Sequence, residues 1–332
     1  MAGASVGFFD SQPRARVPQP LLALRNTIFG TEFACDFQKT KNPETTMPRA
    51  LIAPVILALA AAVTQAQAGV VINYTDFTGA CGDGTLTCVG SAATPSSVLR
   101  LTPALTSQAG AGYSTTAVTL GTGATFSTSF QFQLSQAGGI DPADGLTFVL
   151  AKATNGLGGL GGGLGYQGVP NSVAIEFDTF DNGEVGGSNH VGVDTNGSLA
   201  SAAVSSPYGI SNCQLPSSYL ADGCMSNGKV WSAFINYDGS TQKLNVSVQQ
   251  QGLALIQLVS DYSIDIASLL GSNAAYVGFT AATGSGVENH DILNWKLASD
   301  TSITPGNGVP EPASLALLAV AGLAAWGARR RQ

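Results

Sequence analysis

Ala174-Ile175-Glu176-Phe177-Asp178-Thr179-Phe180-Asp181-Asn182-Gly183-Glu184, closing on Asn189-His190-Val191-Gly192-Val193-Asp194, is the stretch of sequence that decides the fold. Glu176 and Asp178 stand two apart in an apolar, β-favouring run. Residues i and i+2 of a strand point to one face of the sheet. Two carboxylates on one face repel unless a cation sits between them. An Asp-Asn-Gly turn follows, then Glu184 and then His190. Oxygen-rich ligands with one imidazole suit Ca²⁺ beside a transition metal such as Mn²⁺.

The rest of the chain agrees with a β reading. Of its 332 residues 41 are glycine and only 11% are charged. Low charge with abundant Thr, Ser, Val and Gly fits an all-β extracellular domain. The net charge of −7, with no basic stripe, excludes a nucleic-acid partner. Candidate strands lie at 70–77, 98–102, 124–134, 145–151, 172–178, 190–194, 229–237, 243–250, 275–280 and 290–297, separated by Gly, Ser, Asn and Asp. Strands without intervening helices make an antiparallel sandwich. Asn236-Tyr237-Asp238-Gly239 reads as the turn of a hairpin.

Both ends read as addresses. Met47-Pro48-Arg49 opens a second start, an apolar run follows, and Ala66-Gln67-Ala68 has small residues where a signal peptidase cuts. Residues 47–68 are therefore expected to be a signal peptide, and 1–46 an over-extended start. At the other end, 300–308 forms a linker. Residues 309–332 carry Pro310-Glu311-Pro312, an apolar stretch and Arg329-Arg330-Arg331. That tripartite tail resembles the PEP-CTERM sorting signal of Gram-negative bacteria. The resemblance implies export, transient anchoring in the inner membrane by a hydrophobic helix, cleavage by an exosortase, and delivery to the cell surface or medium. Cys35 falls in the expected leader. Cys81/Cys88 and Cys213/Cys224 form two close pairs within loops and lack metal-ligand spacing. They are expected to be two disulfides made in an oxidising compartment.

The opening stretch resembles the metal-binding segment of the legume-type (L-type) lectins, and further motifs extend the likeness over 69–299. Phe126-Ser127-Thr128-Ser129-Phe130-Gln131-Phe132 is similar to their early core strand. Ala143-Asp144-Gly145 resembles their sugar-binding loop, and Gly161-Gly162-Gly163-Leu164-Gly165-Tyr166 their second glycine-rich loop. Residues 277–284 running into Glu288-Asn289-His290-Asp291-Ile292-Leu293-Asn294-Trp295 are similar to the specificity loop and final strand. The resemblance implies a concanavalin-like jelly-roll β-sandwich that binds glycans or exopolysaccharide without catalysis, as a possible homo-oligomer.

The same resemblance implies roles for particular residues. Glu176, Asp178 and His190 would hold the transition metal. Asp178 would also bind Ca²⁺, with the Phe180 carbonyl and the Asn182 side chain. The family has a metal-bridging Asp where this chain has Val185, and Glu184 is the nearest acid. Asp144, Asn182 and the N–H of Gly162 would take the sugar, with Gly163 the alternative register. The Ala143–Asp144 bond would be cis. Phe180 and Tyr166 are candidates for an aromatic platform. Ala282, within 281–285, would belong to the specificity wall. His290 reads as structural.

Two other functions compete. A structural or adhesion matrix protein with a degenerate sugar site would share every feature except a working site. A sandwich glycosidase would need a carboxylate pair. Its Glu-x-Asp-x-Glu motif, with or without one extra residue, meets Glu176, Asp178 and then Phe180 or Asp181. No second Glu stands at either spacing, so the chain is not expected to be an enzyme.

Overall fold

The computed structural model describes residues 69–120, 123–214 and 218–299. The expected leader, linker and tail (1–68 and 300–332) lie outside the described residues. In chain order the strands are β1 (Gly69–Tyr74), β2 (Leu86–Gly90), β3 (Leu99–Thr102), β4 (Ala109–Ser114), β5 (Val118–Thr119), β6 (Thr125–Gly139), β7 (Gly145–Ala151), β8 (Ser172–Asp178), β9 (His190–Thr195), β10 (Ser198–Ser205), β11 (Val230–Asp238), β12 (Lys243–Gln250), β13 (Ile256–Ser263), β14 (Ala274–Ala282) and β15 (Gly286–Ser299). One short helix, α1 (Ile266–Leu270), precedes β14. Among the described residues no helix is long and apolar enough to cross a membrane.

The strands make the expected antiparallel sandwich. The back sheet runs β1-β15-β6-β11-β12-β13, with β3 pairing on β15. The front sheet runs β10-β9-β8-β7-β14-β4-β2, with β5 pairing on β14. Inner faces of both sheets interdigitate, as packed sheets do about 10 Å apart. Phe130 of β6 sits at the centre. Its ring centroid lies 6.0 Å from Phe148, 5.7 Å from Phe177 and 4.8 Å from Phe279, all three on the front sheet. Phe130→Ala should therefore cost about 3–5 kcal/mol, since a cavity so enclosed by rings collapses poorly. Chemical denaturation of the variant measures this.

Strand alternation separates core from site. Val173, Ile175 and Phe177 of β8, with Val191 and Val193 of β9, belong to the inter-sheet core. Glu176 and Asp178, with His190, Gly192 and Asp194, point to the other face of the front sheet. They are nevertheless buried, because loops cover that face.

Several boundaries differ from the sequence reading. Strands β2, β4, β5, β10 and β13 were not expected. In β4, Ala-Gly-Ala-Gly-Tyr-Ser lacks β-branched residues, and its glycines answer to packing instead: a Cβ at Gly110 would strike the Leu101 carbonyl. The β11–β12 turn comes later than expected. Asn236, Tyr237 and Asp238 still pair with Asn245, Leu244 and Lys243, so the turn spans 239–242. The Asp238 carboxylate closes it, accepting from Ser240 N (2.9 Å) and Thr241 Oγ1 (2.8 Å). β6 and β15 are longer than expected because they pair out to Gly139 and Gly286. Cys81–Cys88 and Cys213–Cys224 are bonded as expected.

Candidate metal and sugar site

The ends of β8 and β14 and the starts of β7, β9 and β15 meet at one end of the sandwich. In the β8–β9 ladder Asp178 pairs with His190 and Glu176 with Gly192. That register brings one ligand atom each from Glu176, Asp178 and His190 within 4.8 Å of one another. A side chain at 192 would not fit, since a Cβ there would collide with Glu176 Oε1. His190 Nδ1–H donates to the Gly187 carbonyl (2.7 Å), which leaves Nε2 facing Glu176 Oε1 at 3.2 Å. A neutral imidazole held in this tautomer is the form that ligates a metal.

Glu176 and Asp178 line a cleft of about 290 Å³ with Gly162, Gln167, Asn182, Glu184 and Leu199. Among these described lining residues are three carboxylates and no Lys or Arg. At an effective dielectric constant of 20, two carboxylates 4–5 Å apart repel by about 3–4 kcal/mol. Burial pushes the Asp178 carboxyl well above its ordinary range, and the charges of Glu176, Glu184 and Asp144 push it further. Only the hydrogen bond from Phe180 N–H (2.8 Å) opposes them. Burial lowers His190, but the hydrogen bond that its protonated Nε2 makes to Glu176, the Glu176 charge, the Gly187 carbonyl and the Glu184 charge together outweigh this, and the imidazole titrates above its ordinary value. Carboxylates, an amide and an imidazole around an unbalanced negative cleft fit a hard divalent ion beside a borderline one.

Glu184 enters this cleft from the side of Asn182. Its Oε1 accepts from Asn182 N–H at 3.1 Å, and its charge acts on Asp144, Asp178 and His190. Val185 turns outward, 77% exposed. The acid at 184 therefore faces the cleft, and the residue where the resemblance places an Asp faces solvent.

Asp144 lies next to that cleft. The Ala143–Asp144 peptide bond is cis. Asp144 N–H donates to the Ala282 carbonyl (3.1 Å), and its own carbonyl accepts from Thr179 N–H (3.0 Å). The carboxylate accepts from the Gly284 N–H, and its Oδ2, close to Gly161 and Gly284, has no partner among the described residues. Burial pushes this carboxyl up to about 6, with Glu288 and Glu184 adding and His290 and the Gly284 N–H opposing. Gly162 abuts the Asn182 amide so closely that a Cβ would collide with Oδ1. Gly163 N–H is already spent on the Leu160 carbonyl (3.0 Å). The glycine register thus favours Gly162.

Two expectations change. Tyr166 is fully buried against the outer face of the front sheet, where its hydroxyl accepts from Ser172 Oγ and Gly197 N, so it is no platform for a sugar. Phe180 is half-buried and stays available. Ala282 is also fully buried, its carbonyl accepting from Asp144 N–H, and of the expected wall 281–285 only Gly284 and Ser285 are open to solvent. Loop cover buries both side chains, Ala282 on the face of β14 opposite the core-facing Ala281, and motif matching does not register it.

Other residues of the site, Asp194 and Glu288, carried no assignment in the sequence. Asp194, buried beyond Gly192, is hydrogen-bonded to Glu176, and burial with the Glu176 charge pushes its carboxyl well up. Ser201 Oγ donates to Asp194 Oδ1 (2.8 Å). Glu288 and His290 reach across from the back sheet. Glu288 Oε1 accepts from Thr179 Oγ1 (2.8 Å), and His290 Nε2 accepts from Gly145 N–H (3.0 Å). His290 Nδ1–H then donates to Thr102 Oγ1 (2.6 Å). The residues that follow Asp178 and Asp144 are thereby tied to one strand, β15, and His290 is structural as expected. Glu288 stands in the polar run Glu288-Asn289-His290-Asp291, so its own position offered no signal.

A two-sheet sandwich with a carboxylate–imidazole cluster and a glycine-lined carboxylate at one end defines a lectin-type architecture. The family model of the legume lectin domain matches residues 70–311, and the chain belongs to that family. The PEP-CTERM protein-sorting motif matches residues 308–331. The chain is 33% identical over 196 residues to the L-type lectin-domain containing receptor kinase VIII.1 of Arabidopsis thaliana, covering 56% of this chain and 26% of the kinase. It is 31% identical over 186 residues to the seed lectin of Styphnolobium japonicum, covering 53% of this chain and 57% of that lectin. The chain thus spans less than two thirds of these two relatives. Among solved structures, the winged bean acidic lectin complexed with methyl-α-D-galactose superposes with a TM-score of 0.57 at 28% identity, covering 69% of this chain and 97% of that one. The glycosidase alternative falls with this assignment, because the family is one of lectins and not of hydrolases.

Proposed function

We propose that the domain binds a sugar at Asp144, Asn182 and the Gly162 N–H, supported by cations held in the adjoining cleft. The observation that carries this reading is the Asp144 carboxylate, buried with Oδ2 unpartnered among the described residues and close to Gly161 and Gly284. A carboxylate accepts from two hydroxyl groups, while an amide and a backbone N–H donate to the same pair. Phe180 offers an apolar face, and Gly284 and Ser285 set how much room a substituent has. Glu176, Asp178 and His190 Nε2 would hold a transition metal such as Mn²⁺. Asp178, the Phe180 carbonyl, Asn182 and Glu184 would hold Ca²⁺. When bound, such cations neutralise the carboxylates and fix the Asn182 turn.

Few polar contacts in an open site give a monovalent Kd around the millimolar range, about −4 to −6 kcal/mol. Useful adhesion then comes from several copies on one surface. A glycan array probed with and without chelator tests the reading: binding that survives chelation contradicts the cation requirement. Val185, solvent-facing where the resemblance has an Asp, favours a second reading, a matrix or adhesion protein with a silent sugar site. An array blank for metal-loaded protein would establish that instead.

The C-terminal motif supports export and processing by an exosortase, with the mature chain displayed at or released from the cell surface. In that scheme 1–46 is absent from the product, 47–68 is cleaved after Ala68, 69–299 is the lectin domain, 300–308 is the linker and 309–332 is removed. Terminal peptide mapping of protein from its native host should find Gly69 first and no tail. Recovery of peptides from 1–46 would overturn the expected start.

A further inference from the structure

The residues just before His190 are held by a segment that the proposed function has not used. Ser188 and Asn189 are both buried. The Asn189 side chain alternates with His190 and therefore leaves the opposite face of the strand. Its Nδ2 donates to the carbonyls of Ile210 (2.8 Å) and Gly223 (2.9 Å), and its Oδ1 accepts from Met225 N–H (3.0 Å). Cys213 N–H donates to Ser188 Oγ (2.8 Å). Gly187, whose carbonyl sets the His190 tautomer, packs so closely on Ser211 that a Cβ would crowd the Ser211 carbonyl.

Every one of these partners lies in or beside the loop closed by Cys213–Cys224. That loop is fastened to the back sheet as well. Gln250, fully buried at the end of β12, accepts from Gly223 N–H (2.7 Å) and donates to Asp222 Oδ1 (2.7 Å). Met225 is buried in the core. The loop is thus anchored below and covalently closed, and it grips the segment before His190 through five polar and packing contacts. Cys81–Cys88 closes a different loop, between β1 and β2, and among the described residues no hydrogen bond joins that loop to Gly187, Ser188, Asn189 or the Cys213–Cys224 loop.

We propose that Asn189, braced by the Cys213–Cys224 loop, is the positioning residue that sets His190 for its metal. The disulfide then acts on metal affinity as well as on stability. Groups that orient a metal-ligating His are worth roughly 10–100-fold in metal affinity. The inference rests on the metal reading of Glu176, Asp178 and His190.

The test is a titration of the chelator-stripped full-length protein with Mn²⁺ alone, followed by electron paramagnetic resonance. Circular dichroism, recorded below the melting temperature, confirms the fold of each variant. Asn189→Ala and the double variant Cys213→Ser/Cys224→Ser should each bind Mn²⁺ roughly 10–100-fold more weakly. Cys81→Ser/Cys88→Ser should lose stability and keep its Mn²⁺ affinity, which separates bracing of the site from a general loss of rigidity. Wild-type affinity in both Asn189→Ala and the Cys213/Cys224 variant would overturn the brace while leaving the metal reading intact. An equal loss in the Cys81/Cys88 variant would also overturn it. Wild-type protein that takes up no Mn²⁺ would refute the metal reading, and the brace with it.

Discussion

Asp144→Ala abolishes glycan binding and leaves the sandwich folded. This is the expected result because the carboxylate is the only proposed acceptor for the sugar hydroxyl groups, and the two donors opposite it cannot hold a hydroxyl pair without it. The backbone of Asp144 stays tied to Ala282 and Thr179, neither bond using the side chain. Removing a buried carboxyl that has an unpartnered oxygen also relieves a desolvation cost, so stability should hold or rise slightly. Array binding with circular dichroism as the fold control checks both halves, and retained binding would remove Asp144 from the site. The ionisation of this group adds a pH dependence. Burial places its carboxyl near 6, and the protonated acid is a poorer acceptor. Glycan affinity should therefore fall as the pH drops through about 6, with bound cations drawing the midpoint lower.

The second large effect concerns Asp178, the carboxylate shared between the two proposed ions. Calorimetric titration should find Ca²⁺ binding abolished in Asp178→Asn. Glu184→Gln should weaken it by less, because one formal charge is lost from a cluster whose affinity follows charge count. A ligand that binds only the folded form stabilises it by RT ln(1 + [L]/Kd), about 2.7 kcal/mol at a hundredfold excess over Kd. For a domain of this size that corresponds to roughly 5–10 °C in Tm, which chelation should remove. If Glu184 were a solvated loop residue, Glu184→Gln would bind Ca²⁺ as the wild type does. Its position in the cleft beside Asn182 argues for a ligand role. Unchanged affinity in both variants would refute the metal site.

Much of the site was legible from local spacing. Glu176 and Asp178 share a face because strand periodicity is two, and His190 begins the next strand after a glycine-bearing link. Such relations need only the identity of a strand and its neighbours. The two disulfides were legible for a similar reason, since each closes a short loop. Side chains whose role depends on a remote partner were not legible. Tyr166 and Ala282 stand in the right motifs yet are fully buried, because the loops on the outer face of the front sheet cover them. The polar strand β10 and the glycine-rich β4 carried too little β-branched content to be seen; β10 was ordered by pairing with its neighbour β9, and β4 by pairing with β14, far away in sequence.

By itself the sequence determined the class of the fold, the two carboxylates on one strand face, and the chemistry that an Asp-Asn-Gly turn followed by a His invites. These follow from residue type and a fixed repeat. Only the tertiary structure decided that Glu184 and not Val185 enters the cleft, that Gly162 and not Gly163 meets Asn182, and that β15 reaches across with Glu288 and His290 to hold the residues after Asp178 and Asp144. It alone decided that a disulfide-closed loop grips Asn189. Each of these is a contact between segments tens to more than a hundred residues apart, or a choice between adjacent positions. Such outcomes are set by which side chains the packed sheets leave room for, and no local pattern encodes them.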